Sequence, residues 1–166
     1  MPLKKVAMAI MLMLVGLGSA SGTVRAQDLQ SQLVGPWALV SLVNTRPDGT
    51  QVQPYGPGVR GVMTLLPTGH FTVVIVRPDL PKYAANNRLQ GTADEYQATV
   101  HGSLAYFGKY AVDGDKLTLV IDSSSYPNWN GETQTRTIKL VGDDMEMLVS
   151  TPTLGGRSVV MWKRLK

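Results

Sequence analysis

A succession of turn signals at near-regular intervals constrains this chain more than anything else in it. Arg46-Pro47-Asp48-Gly49, Leu66-Pro67-Thr68-Gly69, Asp113-Gly114-Asp115 and Gly142-Asp143-Asp144 each combine residues that fix or free the torsions a tight turn demands. Between such signals lie short apolar stretches that match strands: Leu33–Val43, Val59–Leu66, His70–Arg77, Ser103–Val112, Lys116–Asp122, Glu132–Val141, Met145–Ser150 and Arg157–Leu165. The spacing predicts an all-β fold of about eight antiparallel strands, a sandwich or a barrel. With no Cys anywhere in the chain, disulfides, a thiol nucleophile and thiolate metal ligands are excluded together. Stability must come from the core, and a sheet closed on itself supplies one. The expectation is a single antiparallel up-and-down β-barrel.

The meander breaks once, after Arg77-Pro78-Asp79. Pro78 and Pro81 cannot donate to a ladder, and the composition stays polar as far as Gly102. Within this excursion Thr92-Ala93-Asp94-Glu95 fits a capping box, which predicts one short helix from Ala93 to about His101, ended by Gly102 near the C′ position. Tyr96 and Val100 lie four apart and form its expected buried face. The excursion is expected to lie across one mouth of the barrel.

The first residues read differently. Lys4 and Lys5 precede an unbroken apolar run from Val6 to Val15, and Val24-Arg25-Ala26 ends the segment in a small-x-small pattern. The run is shorter than the ~20 residues a membrane span needs. Residues 1–26 are therefore expected to be a cleaved signal peptide, residues 27–166 the folded domain, and the location periplasmic or secreted. Three of the chain's 16 Lys and Arg fall in that leader, and the 13 that remain nearly balance the 12 Asp and Glu. No basic cluster is left to track a nucleic acid, and no membrane span remains after cleavage.

Conventional catalysis finds no support in the residues. His70 and His101 are the only histidines and lack metal-ligand spacing; no Gly-x-Ser-x-Gly elbow or phosphate-binding loop occurs. The paired carboxylates Asp113/Asp115 and Asp143/Asp144 belong to turns. No cofactor and no metal is expected. Binding is better served. Tyr106, Gly108 and Tyr110 alternate onto one strand face, with a recess at the glycine where a planar molecule can lie. Phe71, Val73, Ile75 and Arg77 share another face, which puts a guanidinium at the rim, able to hold an anionic group or to pair with Asp79. Tyr83, Arg88 and Tyr96 from the excursion, and Asn128-Trp129 from a long loop, complete the candidate ligand set.

Several segments together resemble the lipocalin-like domain family. They are Leu33-Val34-Gly35-x-Trp37-x-Leu39-Val40-Ser41, Pro54-Tyr55-Gly56-Pro57, Arg77-Pro78-Asp79-x-Pro81-x-Tyr83, Gly91-Thr92-x-x-Glu95-Tyr96, Tyr106-Phe107-Gly108-x-Tyr110 and Pro127-Asn128-Trp129-x-Gly131. The resemblance implies a calycin-type barrel in which Trp37 closes the bottom against Arg164 of the last strand; Trp37 as an ordinary core aromatic is the alternative. It departs from wider lipocalins in lacking disulfides and in carrying its helix mid-chain. The resemblance implies a fold and not a ligand; the leader, the aromatic strand face and the interrupted mouth lead to the expectation, to which the family name adds, of an exported protein binding a small apolar or aromatic molecule inside the barrel. Two other readings stay open: a cofactor-independent isomerase or cyclase, with His70, Tyr106 and Arg77 as its possible acid–base carriers, and a structural envelope or adaptor protein with a packed barrel.

Overall fold

The computed structural model describes residues 29–166, so the leader expected over 1–26 and the domain boundary at 27 lie outside the described residues. A helical turn over residues 29–33 leads into nine strands: β1 (Gly35–Thr45), β2 (Gln51–Val52), β3 (Arg60–Leu65), β4 (His70–Val76), β5 (Ser103–Asp113), β6 (Lys116–Ser124), β7 (Thr133–Val141), β8 (Asp144–Val149) and β9 (Arg157–Arg164). β1 pairs antiparallel with β2 and with β3, each strand from β3 to β8 pairs antiparallel with the next, and β1 also pairs with β9, which closes the sheet. The short β2 only extends the end of β1, at Asn44 and Thr45, so the barrel itself has eight strands. β3 meets β1 only from Gly35 to Ala38.

Period-two alternation sorts the side chains. Phe71, Val73 and Ile75 of β4 face inward while His70 and Thr72 face out; Tyr106 and Tyr110 of β5 face inward while Phe107 and Lys109 face out. Large residues fill one end of the interior, where Trp37, Met63, Leu65, Phe71, Leu117 and Met145 are almost wholly buried. That end is closed by the helical segment before β1 and the end of β9. Gly35, at φ +125°, turns the helical segment into β1, and the Trp37 indole Nε1 donates to Leu33 O at 2.9 Å. Over the indole lies Arg164, its Cζ 4.2 Å from the ring centre. The same guanidinium donates from Nη1 to Val34 O at 2.9 Å and from Nη2 to Gln32 O.

The mid-chain helix, α1, spans Ala93–Gly102 and has the capping box that its sequence predicts: Glu95 N donates to Thr92 Oγ1 at 3.2 Å and Thr92 N to Glu95 Oε2 at 2.7 Å. Two details differ from expectation. Gly102 is not a left-handed terminator; it is the last helical residue, buried because Leu80 and Arg77 press on it, a Cβ there falling 2.5 Å from Leu80 Cδ2. Tyr96 and Val100 are exposed, at 38% and 72%, while Glu95, Ala98 and Thr99 turn inward. The reason is that α1 packs on its own polar excursion, not on the barrel's apolar interior. Where β4 ends, Arg77 N donates to Gly102 O at 2.8 Å, so the excursion leaves and rejoins the sheet at one point.

The Arg164 clamp yields a prediction. Arg164→Lys keeps the charge but loses the planar fork that both covers the indole and reaches two carbonyls. Chemical denaturation should show a loss of about 2 kcal/mol, and Arg164→Ala about 3 kcal/mol, from the cation–π contact and the charged hydrogen bonds together. A lysine variant as stable as the parent would show that the clamp contributes only charge.

Candidate functional site

The other end of the barrel is hollow. A cavity of about 570 Å³ opens there, within the range of roughly 300–1,000 Å³ that small-molecule sites occupy. Its walls come from residues of β1, β4, β5, β7, β8 and β9, and smaller side chains on β8 and β9 (Val149, Ser158, Val160) leave the space that Trp37 and Phe71 fill at the closed end. The rim is built by three loops: Pro54 and Tyr55 after β2, Tyr126, Asn128 and Trp129 between β6 and β7, and Thr151–Leu154 between β8 and β9.

A line of edge-on aromatics runs from core to rim. Phe71 meets Tyr106 at 5.7 Å between ring centres, Tyr106 meets Trp129 at 5.4 Å, and Trp129 meets Tyr126 at 5.8 Å. Trp129 belongs to a 3₁₀ turn, Pro127–Trp129, started by its proline. Its loop is tied down on both sides: Ser124 N donates to Asn130 Oδ1 at 2.8 Å, Gly131 N to Ile121 O at 2.8 Å, and Ala105 N to Ser125 Oγ at 2.9 Å. Across the rim, the fully buried Asn44 of β1 donates to Gly155 O at 3.0 Å, Arg157 O at 3.2 Å and Ser158 Oγ at 3.1 Å, fixing the β8–β9 loop. This mouth is held by hydrogen bonds.

Three of the sequence-derived ligand candidates line the cavity: Tyr106, Asn128 and Trp129. The others are placed elsewhere. Tyr110 is buried toward the closed end, where its hydroxyl donates to Leu66 O at 2.8 Å; four residues along the strand from Tyr106, it shares a face but not a depth. The expected recess at Gly108 is filled, because the register shifts between Phe107 and Gly108 and the β6 backbone moves in, a Cβ on Gly108 falling 2.0 Å from Val120 O. Arg77 lies past the end of β4 and turns outward to Asp79, Nε to Oδ1 at 3.0 Å and Nη2 to Oδ2 at 2.9 Å. Arg88 is exposed on the excursion. Tyr83 and Tyr96 pack on each other at 5.8 Å; the Tyr83 hydroxyl meets Thr99 Oγ1 at 2.9 Å, and the Tyr96 hydroxyl accepts from Gly91 N at 2.8 Å. The cavity lining includes no residue from 77 to 103, while Ile75 and Leu104 just either side of the excursion do line it, so the excursion leaves and rejoins the barrel at its open end without contributing to the cavity wall. His70 faces outward beside Thr68, leaving Tyr106 as the one of the three proposed acid–base carriers in the cavity.

Sequence reasoning missed Arg136. On β7 it faces inward, only 7% exposed, and lines the cavity with Gln134 before it. Its Nη1 donates to Thr135 O at 3.1 Å and its Nη2 to Gln134 Oε1. Burial lowers the guanidinium from its ordinary value, opposed by the Tyr106 phenol; burial raises that phenol, opposed by the Arg136 cation. Tyr55 at the rim is likewise raised by burial. Among the described residues no group of three or more His, Asp or Glu could hold a metal ion, and no helix is long and apolar enough to cross a membrane.

Residues 34–165 match the model of the lipocalin-like domain. The chain belongs to the lipocalin-like domain family. A curated relative, the 4'-hydroxy-3'-methoxypropiophenone carrier protein of Aspergillus oryzae (strain ATCC 42149 / RIB 40), is 30% identical over 103 residues, which cover 55% of this chain and 93% of that one. Among solved structures, a lipocalin-like protein from Bacteroides uniformis ATCC 8492 is similar with a TM-score of 0.44 at 15% identity, over 80% of this chain and 98% of that one. The REP1-NXSQ fatty acid transporter gives 0.40 at 10% identity, over 82% and 98%. Likenesses at this level add nothing to the strand pairing already described.

The excursion of this lipocalin-like chain depends on one carboxylate. Glu95 accepts from Ala84 N at 2.8 Å as well as from Thr92 N, and these two backbone donors hold its carboxyl below the ordinary glutamate range. A depressed folded-state value means that the contribution is complete above the ordinary glutamate value and lost as pH falls through the folded one. Amide exchange followed by NMR, referred to intrinsic rates, should therefore show Ala84 and Thr92 losing protection in that acid window before the barrel strands do. Glu95→Ala should show the same loss at neutral pH. Unchanged protection in the variant would refute the role given to Glu95.

Proposed function

We propose that this protein is a carrier that holds a small, largely apolar molecule in the open end of its barrel. The single observation behind the reading is the cavity. An eight-stranded barrel has room for packed side chains or for one small ligand, and here only the closed end is packed. A packed-barrel adaptor would have no use for such a space. Tyr106 and Trp129 offer ring faces and edges to an aromatic guest, and Leu42, Ile75, Leu104 and Met147 offer apolar wall. The fungal relative's description as a carrier of an aryl ketone supports a small aromatic guest. The pattern of residues 1–26 supports export, which would set the carrier to work in the periplasm or outside the cell.

Two measurements test this. Native mass spectrometry of gently purified protein should show an added mass that organic extraction removes. Titration with 4'-hydroxy-3'-methoxypropiophenone, followed by tryptophan fluorescence, should give saturable one-to-one quenching, since Trp129 and Trp162 both line the cavity. Val149→Trp, which fills the mouth, should abolish the response while leaving the circular dichroism spectrum intact. No bound compound and no saturable response, either to this ketone or to N-phenyl-1-naphthylamine, would end the carrier reading.

A further inference from the structure

Arg136 is the one buried cation among the described residues. Arg77, Lys116, Lys163, Arg164 and Lys166 each lie within 4.0 Å of a carboxylate, and the other described cations are exposed to solvent. Arg136, the buried one, does not: its partners are the neutral oxygens of Thr135 and Gln134, and no described carboxylate lies within that distance. These two bonds use two of the five N–H donors of a guanidinium. Glu132 is the acidic residue of the cavity lining, but it stands four residues earlier, in the loop just ahead of β7, roughly 13 Å away along an extended chain. The Tyr106 phenol cannot serve as counter-ion, because burial favours its neutral form. A buried guanidinium keeps its proton, and leaving it unpaired is costly.

Two further donors in the same lining are also unused. Trp162 is 2% exposed and its Nε1 is buried without an acceptor. The Tyr106 hydroxyl makes no hydrogen bond to any described residue, and Tyr106 lines the same cavity as Arg136 and Trp162. β5, β7 and β9 thus each bring a donor to one cavity, and none of the three donors has a carboxylate partner.

We propose that Arg136, with the Tyr106 hydroxyl and the Trp162 indole N–H, forms an anion-binding site inside the barrel that takes the carboxylate, sulfonate or phenolate of an amphipathic aromatic ligand. This rests on the carrier reading and narrows it: the guest is apolar along its body and anionic at its buried end. The inward guanidinium selects charge, and the two neutral donors orient the group. The apolar wall of Leu42, Ile75 and Met147 takes the remainder. A guest carrying its own acceptors supplies partners to donors that the protein itself leaves without them.

A matched pair of fluorescent probes provides the test. 1-Anilinonaphthalene-8-sulfonate and N-phenyl-1-naphthylamine share one aromatic frame and differ by the sulfonate. Each is titrated into the folded protein and into Arg136→Met, with one-to-one stoichiometry required. The variant should lose about ten- to a hundredfold in affinity for the sulfonate probe, as expected for a charged hydrogen bond, and less than about threefold for the neutral one. Trp162→Phe should weaken the sulfonate probe alone, by a smaller factor. The empty Arg136→Met protein should melt no lower than the parent, because it loses an unpaired buried charge. Equal weakening of both probes, undiminished sulfonate binding, or a clear fall in the empty variant's melting point overturns the anion site and leaves the carrier reading standing. Should the variant fail to fold, Arg136→Lys decides: a sulfonate preference that survives in reduced form supports the site, and an unchanged or absent preference overturns it. Failure of the parent protein to bind the sulfonate probe overturns the anion site, and failure of both probes and the ketone to bind, with no copurified compound, defeats the carrier reading itself.

Discussion

The antiparallel pairing of β1 with β9, from Trp37 against Arg164 to Thr45 against Arg157, is where the sheet becomes a barrel. The other pairings join strands nearer in sequence, most of them across hairpins or short loops and the most separated, β4 with β5, across the excursion. The β1–β9 pairing brings together the two ends of the domain, so its loop entropy is the largest the fold must overcome. The contacts at that seam suit the task. A cation over an indole, charged donors on Val34 and Gln32 carbonyls, and an indole N–H on Leu33 lock one end of the seam. Asn44 holds the other end to the last strand through Arg157 and Ser158. Without that seam both β1 and β9 would be free edges, and no interior would exist to be filled or left hollow.

Closure also explains why the two ends of the barrel differ. Aromatic and long aliphatic side chains crowd beneath the Trp37 clamp, so the interior there is continuous packing. Toward the other end Val149, Ser158 and Val160 take over, and the strands that continue to wrap around them enclose space. The rim is then stiffened by backbone hydrogen bonds from its own loops. A site of this kind is preformed, and a guest need not order the chain on entering.

Much of the fold was legible because turn residues and alternation are local signals. Pro67-Thr68-Gly69 and Gly114 sit at the hairpin turns their chemistry demands, and the capping box at Thr92 and Glu95 is present bond for bond. Tyr106 and Trp129 were legible as site residues for the same reason, one by alternation and one by its turn. Depth along the barrel was not. Nothing in the strand Tyr106-Phe107-Gly108-Lys109-Tyr110 tells that Tyr106 meets space and Tyr110 meets packing. Arg136 was hidden by its neighbours: Thr133-Gln134-Thr135-Arg136-Thr137 is polar on both faces and reads as a strand open to water. Its inward face emerges only from pairing with Leu117 on one side and from the burial of Ile138 two residues on. Arg77 misled in the opposite way, since its strand's inward face ends at Ile75 and Asp79 draws the guanidinium outside.

The excursion between β4 and β5 is bound mainly to itself. Its two ends meet in a single hydrogen bond, Arg77 N to Gly102 O, and its ties run between Glu95, Ala84, Thr92, Tyr83, Thr99, Tyr96 and Gly91. None of these residues touches the cavity. Sequence change there and sequence change in the barrel wall are thus nearly independent problems for evolution. The excursion can be lengthened, shortened or recast while the hollow end of the barrel keeps its shape, and the hollow end can be reshaped without disturbing what the excursion presents. It is a natural graft point, set into the barrel at one position where the chain already leaves and returns.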